Sequence, residues 1–148
     1  MAETAIDRTG LTLKRADGAN RALQVGAAVY LVGLIAHTAD HVRRGTDVIT
    51  PEVFWAGIIS TTIGIIVVIM IVARHRLAPL FATAFGFAEA IGVASAHLFP
   101  HWSALSDPFI GHQAPGITPF SWAVVLIELA GAFAMGVAGW LVLRRRPD

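Results

Sequence analysis

The sequence predicts an all-α integral membrane protein, a four-helix bundle with both termini on the cytoplasmic side. Three observations predict it. Hydrophobic residues make up 55% of the 148 residues and charged residues only 14%, against about 25% charged in soluble domains. Four stretches are each long enough to cross a bilayer, which takes about 20 mostly apolar residues. Positive charge is also distributed unevenly between the two sets of loops. A chain this short cannot hide so much apolar surface in a soluble core.

The four spans run approximately Ala22–Ala39, Val53–Ala73, Leu77–Leu98 and Phe120–Leu143. Residues 1–21 form a polar N-terminal tail, expected to be partly irregular or surface-lying. Residues 22–143 form the transmembrane domain and 144–148 a short C-terminal tail. No cleavable signal peptide is evident, because the first twenty residues are polar. Arg74-His75-Arg76 is a tight turn, so spans two and three form an antiparallel hairpin. Pro79 falls in the first turn of span three, where its missing N–H does little harm. The segment from about Phe99 to Pro119 holds four prolines, at 100, 108, 115 and 119, and is not helical throughout. A loop of this length is often functional, and it is expected to act as a lid. Its Trp102, with Phe109 and the adjacent Phe120, suits the headgroup level.

Arg8, Lys14, Arg15, Arg21, Arg74, Arg76 and Arg144 to Arg146 fall on one side of a four-span topology. Only Arg43 and Arg44 fall on the other. Nine against two places both termini in the cytoplasm and the protein in the plasma (inner) membrane. His75, flanked by arginines on that side, is read as a headgroup contact, and Gln24 as interfacial. The net charge of +1 argues against a nucleic-acid partner. The absence of cysteine excludes disulfides and thiolate metal sites. Gly-rich phosphate loops, nucleophile elbows and zincin motifs are also missing.

Small residues indicate how the helices meet. Ala82, Gly86, Ala90 and Ala94 recur on span three, and Ala88, Gly92 and Ala96 on a neighbouring strip. Ala130, Ala134 and Ala138 mark span four. Helix backbones approach closely at such positions, so spans three and four are expected to be the most intimate pair.

Five of the six histidines gather at one end. His37 and His41 close span one, His97 and His101 close span three, and His112 follows in the loop. Spans one and three run the same way, so their ends share a side. His37, Asp40 and His41 lie on one helical face. Two imidazoles and a carboxylate suit zinc, copper, iron or manganese. The same triad also suits a hydrogen-bonded cap, with Arg43 or Arg44 pairing with the acid. The candidate metal ligands are therefore His37, Asp40, His41, His97 and His101; His112 is better read as solvated.

Two acids lie inside the spans. Glu89 is about 12 Å deeper than His97 and within about 80° of its face. Glu128 lies at a similar depth on span four. Ionisable groups in hydrocarbon usually face the bundle interior and are functional. Glu89 and Glu128 are candidates for a proton relay, and where like charges meet they can share a proton. The plainer reading is a protonated glutamate bonded to Ser60, Thr61 or Ser95.

Four functions compete, transport through a dimer among them. One is a metal-dependent membrane protein. Another is a haem-binding redox subunit with His37 and His97 as axial ligands. The last is a non-catalytic membrane subunit or a module for a lipid or apolar ligand. The bilayer is a partner in every case, and a homo-oligomer or larger membrane complex fits the small-residue faces.

Overall fold

The computed structural model describes residues 3–111 and 113–145. The structure is all-helical among these residues: α1 (Glu3–Arg44), α2 (Pro51–Val72), α3 (Ala78–His97) and α4 (Pro119–Leu143), with a short 3-10 turn at Thr46–Val48. Each long helix contains a stretch able to cross a membrane: Gly18–Arg44, Pro51–Val72, Ala78–His97 and Pro119–Leu143. The chain is an integral membrane four-helix bundle. The N-terminal segment differs from expectation. No proline interrupts residues 3–44, and the helix of span one continues back through it.

Local chemistry sets the helix ends. Thr50 caps α2, its hydroxyl accepting from the Val53 amide at 3.1 Å, and Pro51 occupies the first turn. Arg74 takes a left-handed φ of 53° in the hairpin turn. That lets the His75 amide donate back to the Met70 carbonyl at 2.9 Å, closing α2 as a glycine would. Ahead of α4, Ser121 Oγ accepts from the Thr118 amide at 3.1 Å, and Pro119 again fills the first turn.

The closest pair is α1 with α4, rather than α3 with α4. Glycine explains the correction. A Cβ at Gly33 would overlap the backbone of Glu128, and one at Gly131 the backbone of Tyr30. The two helices therefore cross with backbone against backbone. The small strip of α3 still docks on α4, Gly86 facing Ala132 and Gly136. Gly131→Leu forces these helices apart. It should cost at least the ~1–3 kcal/mol typical of overpacking, measured by detergent-phase unfolding.

Helix α2 is peripheral. Its buried residues, Gly64, Val67, Val68 and Ile71, all lie in its second half, toward the hairpin turn. From Pro51 to Ile63 nothing is buried. The opposite end of the bundle, where α1 and α3 finish and α2 and α4 begin, carries the histidines.

Candidate metal centre

His37 and His41 sit one turn apart on α1, and His97 is the last residue of α3. Their rings meet. The centroids of His37 and His41 are 4.7 Å apart, those of His37 and His97 4.8 Å, and those of His41 and His97 5.9 Å. One ring nitrogen from each lies within 4.8 Å of the others. His37 and His97 are buried and His41 is half-buried.

Each ring is held by a different partner, and the partner decides which nitrogen is free. His37 Nδ1 bonds the carboxylate of Glu128. A carboxylate only accepts, so the proton sits on Nδ1 and the lone pair on Nε2. That Nε2 is buried and has no hydrogen-bond partner among the described residues. His97 Nδ1 donates to the Asp107 carbonyl at 2.9 Å, which likewise leaves Nε2 as its lone-pair nitrogen. Histidines that bind metal characteristically donate their other N–H to a carboxylate or backbone carbonyl. His41 is different. Arg44 donates to its Nδ1 at 3.0 Å, and a guanidinium has no acceptor. His41 therefore offers Nε2–H toward the cluster until its ring turns or Arg44 lets go.

A shell of ion pairs closes the end of the bundle. Arg44 grips Asp107 with both Nη groups, one of them 3.1 Å from Oδ1. Its Nε lies 3.4 Å from Asp40 Oδ2. Arg43 binds Asp40 at 2.8 Å and reaches across to the Gly116 carbonyl, also at 2.8 Å. Asp107 Oδ2 is 3.5 Å from His97 Nδ1 and 3.9 Å from that of His41. Beneath lies Phe109, 1% exposed, its ring against both His97 and Trp122.

The segment between α3 and α4 is docked on the end of α3. Asp107 and Phe109 donate their amides to the carbonyls of Ala96 and His97 at 3.0 and 2.8 Å. They thereby satisfy the exposed end of α3.

Of the expected ligands, the structure brings together His37, His41 and His97. Asp40 is fully buried in its arginine pairs and stands outside the cluster. His101 is exposed in the loop, because α3 stops before Pro100. His112 lies outside the described residues. Sequence reasoning missed Asp107. The signal was there: it is the only acid between Phe99 and Thr118, on the side where two arginines lacked a full set of partners.

The buried acids extend the site inward. Glu128 is 1% exposed. Its carboxyl reaches that of Glu89, which accepts from Tyr30 at 3.3 Å and from Ser60. Ser95, another of the three expected partners, bonds back to its own helix at Ile91 instead. A hydrogen-bonded line thus runs from Ser60 and Tyr30 through Glu89 and Glu128 to His37.

Fold and site define an integral membrane four-helix protein with a three-histidine cluster at one end. No protein-family model matches this chain, and no curated protein or solved structure is significantly similar to it. Its chemistry rests on its own residues.

Proposed function

We propose that the protein binds a divalent transition metal through His37, His41 and His97. The observation that carries this reading is His37 Nε2, buried and without a hydrogen-bond partner among the described residues, on a ring in contact with two further imidazoles. A buried polar atom without a partner costs about 1–3 kcal/mol, which a metal bond would recover. Three neutral imidazoles suit zinc, copper or iron better than manganese. Bonds of about 2.0 Å require nitrogens about 3.3 Å apart. Loading therefore draws the rings inward from their present spacing.

Three protein ligands leave a fourth position open, the pattern of catalytic rather than structural zinc sites. Asp107 and Glu128, the nearest carboxylates, are engaged by Arg44 and His37. A bound metal would supply Lewis acidity or redox chemistry at that position. Glu128 orients His37, and Glu89 with Glu128 provides a proton relay between the cluster and the middle of the membrane. The orientation with both termini in the cytoplasm is supported by the count of arginines: Arg74, Arg76, Arg144 and Arg145 at the hairpin end against Arg43 and Arg44 at the histidine end.

The haem reading fares worse, since His37 and His97 are in ring contact and a macrocycle would have to part them. The subunit reading keeps one specific support: the arginine–aspartate shell ties three helix ends together without any metal.

Cobalt(II) titration of the protein without a histidine tag tests the proposal. Visible d–d bands should saturate near one ion per chain. Glu128→Gln should weaken cobalt binding by about 10–100-fold, as loss of an orienting carboxylate does. Absence of saturable bands would favour the subunit reading.

A further inference from the structure

We propose that the gap between the first half of α2 and the end of α3 binds a neutral, hydroxyl-headed lipid of the quinol type, entering sideways from the membrane. This site meets the buried-acid line at Glu89 rather than the histidine rings, and it does not depend on metal binding.

The gap follows from how α2 leaves the bundle. Ser60, Gly64, Val67 and Ile71 share the inward face of α2, and the last three are buried. Ala56 and Gly57 precede Ser60 by four and three residues, so they continue that same face. Both are nevertheless exposed, and a side chain at Gly57 would meet nothing within 4 Å. On α3 the pattern is mirrored. Gly92 follows Glu89 by one turn toward the histidine end, is exposed, and likewise has open space before it. Two faces that should touch instead stand apart.

The gap has a floor and a roof. Ser60 bonded to Glu89 joins the two helices below. Above, the Thr50 hydroxyl donates to the Ala104 carbonyl, pinning the start of α2 to the segment beyond α3. Ten residues separate Thr50 from Ser60, a height of about 15 Å. The walls are small and apolar, and the side facing lipid is open.

The floor selects the occupant. A carboxyl bordering hydrocarbon is costly unless it is bonded. Glu89 accepts from Ser60 and Tyr30 and its carboxyl is also bonded to that of Glu128, but its two oxygens keep lone-pair capacity beyond these bonds. A further hydroxyl donor is accommodated. An anionic head is disfavoured, because Glu128 stands behind Glu89. A neutral donor head on an apolar body meets both the floor and the walls.

The test is calorimetric titration of decyl-ubiquinol into the protein in phosphatidylcholine nanodiscs, against empty nanodiscs. Saturable binding is expected, unaffected by oleate. Gly92→Leu and Gly57→Leu fill open space, so folding should survive, checked by circular dichroism. Each should weaken binding at least about tenfold, a loss of about 1.4 kcal/mol. Ser60→Ala should weaken it as well. Heat equal to that of empty nanodiscs would overturn the proposal, as would unchanged affinity in both leucine variants or equal competition by oleate. Conversion of a dimer to a monomer by Gly92→Leu would also overturn it, showing that a second copy covers the gap.

Discussion

Arg44→Met should destabilise the protein by about 3–5 kcal/mol, the usual cost of removing one partner from a buried ion pair. The arginine side chain is 0% exposed and that of Asp107 1%, so solvent offers little compensation. Asp40 keeps Arg43, but Asp107 loses the guanidinium that grips both its oxygens. The damage should be local in origin and global in effect, because Arg44 joins α1 to the segment that caps α3. Combining Arg44→Met with Asp107→Leu should recover much of the loss, since a buried pair replaced by apolar groups is often tolerated. Equilibrium unfolding of the two single variants and the double variant yields the coupling directly. Additive losses would show that the pair does not act as a unit.

His37→Ala should abolish metal binding while leaving the four helices intact. His37 is the ring in contact with both other histidines and the one whose second nitrogen is tied to Glu128. Its loss removes the central ligand and strands the Glu128 carboxyl. Glu89 remains within reach of Glu128, so part of that cost is absorbed. His101→Ala is the matched control. It sits exposed beyond α3 and should leave metal affinity unchanged. Equal metal uptake by the His37 and His101 variants would remove His37 from the site.

Span number and helix direction were legible because apolar length is a local property. The meeting of His37 with His97 was legible for the same reason, since both close spans that run in parallel. What was hidden depended on tertiary distance. Asp107 joins Arg44 across 63 positions, and no local spacing announces that partner. Asp40 was legible in both of its readings, as a ligand by its i, i+3 position to His37 and as a partner of Arg43 or Arg44, and the structure has the second. The α1–α4 crossing rests on Gly26, Gly33 and Gly131, with Gly26 and Gly33 seven residues apart, rather than on an every-fourth-residue strip. Counting repeats therefore favoured α3 with α4.

Metal content is the measurement closest to the central claim. The untagged protein, purified in detergent and dialysed against micromolar zinc, would be analysed for metal beside His37→Ala and His97→Ala. About one zinc per chain in the parent, and near none in either variant with helical content retained, is the result the account predicts. A folded parent protein that retains no zinc, or variants that retain as much as the parent, would contradict it.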